Sequence, residues 1–266
     1  MKKLIKSIFD FLGFEIKRKY FKDDIKLLTF DEIYKLKIKK KDPVIFDIGA
    51  NRGQSIERFL EINNNSIIHS FEPNVEEFNH LKKNYGSFKN IRLNNFAFGK
   101  EKTNKILNVA GHTGSSSFFN LNRDTEWLKL RSKQLGVSQE NYITKKIEVE
   151  VDTVDSYCET KKIDHIDIMK VDTQLFEEQV LIGSKRMIEE QRIDAIELEI
   201  TFSSVYKKYF SFSDLEKYLL PNGYRFSAMR LNNNNIFSGT IFFADTLYLK
   251  KNKFNILLFL YETFDN

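Results

Sequence analysis

Two acids, each ending an apolar run, constrain this chain more than any other feature of it. Val44-Ile45-Phe46-Asp47-Ile48 leads into Gly49-Ala50-Asn51-Arg52-Gly53-Gln54, and 25 residues after Asp47 a second run, Ile67 to Phe71, ends on Glu72. Short apolar runs of this kind read as strands buried on both faces of a parallel sheet. In an open α/β sheet such a strand carries the chain to the carboxyl edge, where glycines let the backbone close on a ligand. An acid ending the second strand then accepts hydrogen bonds from a ribose diol. The glycine spacing is G-x-x-x-G and not the dinucleotide fingerprint G-x-G-x-x-G, and Asp47 stands two residues before the first glycine. A pyrophosphate there would meet like charge. S-adenosylmethionine has no phosphate and carries an ammonium group that an acid attracts. The reading is therefore an S-adenosylmethionine site built by Asp47, Gly49, Asn51, Gly53 and Glu72.

The same residues carry a family resemblance. Phe46-Asp47-Ile48-Gly49-Ala50-Asn51-Arg52-Gly53 resembles the opening motif of the FkbM-type S-adenosylmethionine-dependent methyltransferases. Phe71-Glu72-Pro73-Asn74, Asn95-Phe96-Ala97-Phe98-Gly99, Ser115-Ser116-Ser117 and Val151-Asp152-Thr153-Val154-Asp155 follow in family order. Met169-Lys170-Val171-Asp172-Thr173-Gln174 and Glu177 close the set. The resemblance implies O-methylation, commonly of a sugar hydroxyl in glycan or secondary-metabolite biosynthesis. It also implies an α/β fold with a Rossmann-like class I methyltransferase sheet, mostly parallel with one reversed strand and helices on both faces. One position departs from the family: Leu175 stands where a glycine is usual, and glycine there would permit a positive φ or a close approach of substrate.

Composition sets the frame for these motifs. The chain has 266 residues, 41% of them hydrophobic and 14% aromatic, which suits one large globular domain and not a disordered chain. The single cysteine, Cys158, allows no internal disulfide, which fits a reducing cytoplasm. The net charge of +5 is matched by residues 1–22 alone, where seven basic residues face two acidic ones. Leu4, Ile5, Ile8, Phe9, Phe11, Leu12 and Ile16 fall at spacings of three, four and seven, the pattern of one helical face. Charges interrupt this leader too early for a membrane span, and Asp10 breaks it as a secretory signal. Two readings stay open: a helix packed on the domain, or an interfacial anchor on the inner face of an anionic membrane. The expected organisation is a basic helical extension over residues 1–41, the catalytic domain over 42–251, and a tail over 252–266.

Periodicity predicts helices at 30–36, 53–62, 74–84, 124–135, 175–189 and 212–220, and strands at 44–48, 67–71, 91–98, 104–109, 166–171, 193–200, 224–229 and 241–249. The stretch 100–150 reads as an insertion over the active site. Alternating strands and helices make the sheet mostly parallel.

Methyl transfer needs the acceptor oxygen about 3 to 3.5 Å from the methyl group and a route for the hydroxyl proton. Asp172 ends the strand at 166–171, at the carboxyl edge, and is the lead candidate for this chemistry; the alternative is an N-cap for the helix that follows. Glu177 either faces the same cleft or serves the first helical turn. Asn95 and Ala97 follow the third strand, where adenine would rest. His112 is either a loop base or solvated. One of Glu197 and Glu199 points to the cleft, and Trp127 and Tyr206 either stack on a sugar or pack in the core.

The four histidines make no i, i+4 pair and no cysteine cluster exists, so zinc is not expected. A nucleic-acid methyltransferase would share the cofactor site, but no Asn/Asp-Pro-Pro-aromatic tetrapeptide and no Pro-Cys nucleophile is present. The excess charge also lies in the leader and not along a groove, so nucleic acid is disfavoured against a small-molecule or glycan acceptor. A cofactor-binding but inactive module is the remaining alternative, motivated by Leu175.

Overall fold

In the computed structural model, which describes residues 28–111, 114–202, 206–207, 211–231 and 241–251, Val44–Ile48 forms strand β1, an inner strand of a seven-stranded sheet. The leader 1–22, His112, the asparagine run 232–235 and the tail 252–266 lie outside the described residues. The other strands are β2 (Ile67–Phe71), β3 (Ile91–Asn94), β7 (Ile166–Val171), β8 (Ile193–Thr201), β9 (Tyr224–Leu231) and β10 (Phe243–Lys250). Their order is β3-β2-β1-β7-β8-β10-β9. β1 pairs in parallel with β2 and β7, whereas β10 runs antiparallel to both β8 and β9. β10 is thus the one reversed strand. β7 is buried along its whole length, as a central parallel strand covered on both faces must be.

Helices cover the two faces. On one side lie α1 (Phe30–Lys37), α2 (Gln54–Ile62) and α3 (Val75–Tyr85), which share a core with Ile45, Ile68 and Ile168. α1 starts at a capping box, Thr29 with Glu32, and buries Phe30, Ile33 and Tyr34. The helical stretch expected before residue 41 thereby contributes to the core of the domain after it. On the other side lie α5 (Val154–Lys161), α6 (Glu177–Gly183), α7 (Lys185–Glu189) and α8 (Phe212–Leu219), packed on Phe46, Met169, Ile196 and Leu198.

Between β3 and α5 the chain leaves the main sheet. β4 (Ala97–Phe98), β5 (Thr103–Ala110) and β6 (Ile143–Asp152) form a second sheet in the order β4-β6-β5, and α4 (Glu126–Leu135) packs in the same insertion. Two expectations are corrected. The strand expected at 91–98 is broken at Asn95 and Phe96: β3 pairs with β2 only as far as Asn94, while Ala97 and Phe98 pair with Val151 and Asp152. The helix expected at 175–189 is two helices. Gly183 ends the first where it crosses Gly99 so closely that a Cβ on Gly183 would lie 1.9 Å from the Gly99 carbonyl oxygen. Asp155 then starts the second, its carboxylate accepting from the Arg186 and Met187 amides at 2.7 and 3.1 Å.

Candidate active site

The cleft lies at the carboxyl edge where β1 and β7 run side by side. It is a cavity of about 390 Å³, walled by Ile48 to Asn51, Glu72 to Asn74, Asp172 to Gln174 and the insertion residues Leu107, Ser116 and Phe118. The turn after β1 explains the glycine spacing. Gly49 has φ +86°, and a Cβ there would fall 1.9 Å from the Asp172 carbonyl oxygen. Only glycine lets these two strand ends meet. Asn51, at φ +48°, and Gly53, at φ +97°, complete a left-handed turn into α2.

Asp47 lies under this turn, fully buried and behind the cleft wall, with Ser55 beside it but no well-formed hydrogen bond to either carboxylate oxygen. The nearest cation is Lys170 Nζ at 3.9 Å. Burial raises its pKa to about 6, against the pull of Lys170. Glu72 is buried too, with Oε2 accepting from the Asn51 amide at 2.9 Å and Oε1 from the Asn74 amide at 2.8 Å. Burial lifts its pKa to about 7. Each Glu72 oxygen keeps a lone pair for a further donor. The Asn51 side-chain oxygen is buried in the cleft wall without a partner. Ala97 lines the cleft. Asn95 does not: its amide donates to the carbonyls of Glu72 and Pro73 at 2.8 and 3.2 Å and so holds the second acid's loop.

Asp172 lines the cleft but caps no helix, since α6 begins five residues later with Phe176 at its N-cap. Lys170 Nζ donates to its Oδ2 at 3.1 Å and Gln174 Nε2 to its Oδ1 at 3.3 Å. Glu177 is not in the cleft wall. Its Oε1 accepts from the Thr173 amide and hydroxyl at 2.7 and 2.9 Å, bracing the loop from behind, and burial raises its pKa to about 7. Glu199 faces the cleft, whereas Glu197 faces away and is gripped by Arg58 and Tyr34. Trp127 packs edge-on against Tyr142, and Tyr206 donates to the Ser115 carbonyl, so neither aromatic lines the cleft.

Sequence reasoning assigned no role to Lys170, Gln174, Arg230 or Asp245, all of which line the cleft. Lys170 carried a signal in being, with Asp167, one of two charges inside the buried and otherwise apolar strand β7. Arg230 and Asp245 carried none, because their place follows from the pairing of β9 with β10. The motif at 151–155 proves architectural: Thr153 caps α5 and Asp155 caps α7. Among the described residues His165, Asp167 and Asp194 also gather, near the starts of β7 and β8 and away from the cleft, but Lys40 and Lys250 already pair with the two acids.

The strand order, with one reversed strand next to the last, together with a glycine turn and acids at the ends of β1 and β2, defines the class I methyltransferase fold. Residues 47–226 match the sequence model of the Methyltransferase FkbM domain. The chain belongs to the FkbM methyltransferase family. It is similar to the 2-O-methyltransferase NoeI of Sinorhizobium fredii, at 25% identity over 157 residues, which are 58% of this chain and 63% of that protein. The chain thus spans less than two thirds of that relative. The crystal structure of Methyltransferase FkbM from Methylobacillus flagellatus KT superposes with a TM-score of 0.51 at 14% identity, over 86% of this chain and 46% of that one.

Proposed function

We propose that this chain is an S-adenosylmethionine-dependent O-methyltransferase whose acceptor is a hydroxyl of a sugar or glycan-like molecule. The observation that carries the cofactor is Asp47, a fully buried carboxylate beneath the glycine turn with no well-formed hydrogen bond and its nearest cation, Lys170, 3.9 Å away. Such a group is costly to bury alone and favours a cationic ligand over a pyrophosphate. In this reading Asp47 attracts the ammonium end, Gly49, Asn51 and Gly53 shape the turn against the ligand, and Glu72 accepts from the ribose diol. Ala97 borders the adenine, and Asn95 acts by holding the Glu72 loop. When bound, the cofactor supplies the methyl group as a sulfonium. The chain's own part is to hold the acceptor in line and exclude water.

The sugar acceptor is supported by the likeness to a 2-O-methyltransferase and by the polar wall of Asp172, Gln174, Glu199 and Arg230. Leu175 supports an active enzyme over an inactive module, because its side chain is buried among Ala110, Leu128, Tyr142 and Tyr206 and leaves the cleft open. Incubation with methyl-labelled cofactor and a panel of methyl hexopyranosides tests the acceptor class. Label in at least one glycoside is expected, and label only in RNA would overturn it. We further propose that the reaction is cytoplasmic and that residues 1–22, net +5, attach the enzyme to anionic membranes. Among the described residues no helix is long and apolar enough to cross a membrane. Co-sedimentation with phosphatidylserine vesicles at low salt, lost on neutralising Lys2, Lys3 and Lys6, is the expected outcome.

A further inference from the structure

The acceptor hydroxyl must lose a proton, and on the methyltransferase reading, on which this inference rests, Asp172 is the first carboxylate to consider. Its hydrogen bonds argue for a neighbour. Asp172 engages both oxygens, one with Lys170 and one with Gln174. Glu199, near the end of β8, lines the same cleft and accepts from Gln174 Nε2 at 2.8 Å through Oε2. Its Oε1 accepts no hydrogen bond among the described residues. Gln174 therefore joins the two carboxylates through one amide and aims the freer one at the cleft. We propose that Glu199 is the general base of the transfer, and that Asp172, clamped by Lys170 and Gln174, is a positioning residue.

The surrounding charges suit this task. Asp172 and Lys170 face Glu199 from β7 and the loop after it, Glu177 from α6, and Asp245 from β10. Lys170 is committed to Asp172, with Asp47 3.9 Å away, and Arg230 of β9 to Asp245. Burial and the neighbouring carboxylates therefore hold the Glu199 pKa well above the ordinary carboxylate range. That makes a stronger base, and one whose ionised form a cation nearby favours. A sulfonium in the cleft provides one. Glu199 Oε1 receives the hydroxyl proton as the acceptor oxygen bonds to the methyl carbon and the carbon–sulfur bond breaks with its electron pair on sulfur. A carboxylate facing a sulfonium becomes a neutral acid facing a thioether, so charge is conserved.

The test needs no acceptor. S-adenosylmethionine and S-adenosylhomocysteine share their ammonium and carboxylate and differ in the sulfonium charge. Titration calorimetry near pH 7, in buffers of different ionisation heat, counts the protons released when each binds the full chain. Wild type should release more with S-adenosylmethionine. The difference should vanish in Glu199→Gln and persist in Asp172→Asn. Equal release by wild type with both ligands, or a difference that survives Glu199→Gln, overturns the assignment. Binding of neither ligand by wild type overturns the cofactor reading and the assignment with it. On any glycoside that wild type methylates, Glu199→Gln should lower kcat by about 100-fold or more, with the acidic limb of the pH profile lost. Full turnover in that variant overturns Glu199 as the base.

Discussion

Leu175 shows how one residue reconciles two demands. Its φ of +75°, next to Gln174 at +53°, is the backbone that glycine adopts without strain. A left-handed conformation costs a residue with a Cβ about 1–2 kcal/mol. The side chain offsets this by filling the core of the insertion between Leu128 and Tyr206, where truncating a buried leucine costs about 2–5 kcal/mol. Burial outweighs strain, so Leu175→Gly should lower stability by about 1–3 kcal/mol in urea unfolding. A stabilised variant would mean that strain dominates at this site. The resemblance made the departure at 175 visible, but the direction of the side chain followed from the turn and could not be read from the residue type. Asp47 and Glu72 were legible because strand ends fix them, and their hydrogen-bonding state was not. Asp47→Asn keeps the shape and removes the charge. It should weaken S-adenosylmethionine binding about tenfold, or about 1.4 kcal/mol. Unchanged affinity would remove Asp47 from the cofactor site.

At the level of elements, the insertion is fastened to the catalytic loop. Ser117, almost fully buried, donates to the Gln174 carbonyl at 2.6 Å and accepts from the Phe119 amide at 3.1 Å. Ser117, the last of the serine run, is thus a clasp between the insertion and the residue that holds Asp172 and Glu199. Ser117→Ala leaves the Gln174 carbonyl without this donor, and should destabilise by about 1–3 kcal/mol and speed cofactor release in stopped-flow displacement. An unchanged release rate would separate the clasp from the cleft. Two elements were misread for one reason. Residues 91–98 and 175–189 each carry apolar residues on either side of a short polar stretch, and both break there, where another segment crosses. Asn95 turns to hold the Glu72 loop, and Gly183 yields to Gly99. Local pattern does not record such crossings. Gly183→Ala places a methyl group on a backbone oxygen and should cost about 3 kcal/mol or more, measured as a lower denaturation midpoint.

Across the whole molecule, folding keeps carboxylates in and behind the cleft wall protonated to higher pH than usual. Asp47, Glu72 and Glu177 have pKa values raised to about 6, 7 and 7, chiefly by burial. Each raised group binds its proton more tightly in the folded state, so its contribution is complete below its unfolded pKa and is lost as pH rises through the folded one. Stability should therefore fall between about pH 4.5 and 7. Buried His69, its pKa pushed down to about 4, acts in the opposite sense up to about pH 6.5 but is one group against three. Glu197 and Asp194, held low by their cationic partners, do so only below the ordinary carboxylate range. Urea midpoints at pH 5.5 and 7.5 should show this decline, and Asp47→Asn should flatten it. The central claim is that this cleft is built for a cationic, phosphate-free cofactor. Calorimetric titration of the full chain with S-adenosylmethionine and, separately, with NAD tests it most directly. The account predicts micromolar binding of the first and none of the second. Binding of NAD, or of neither, would contradict it.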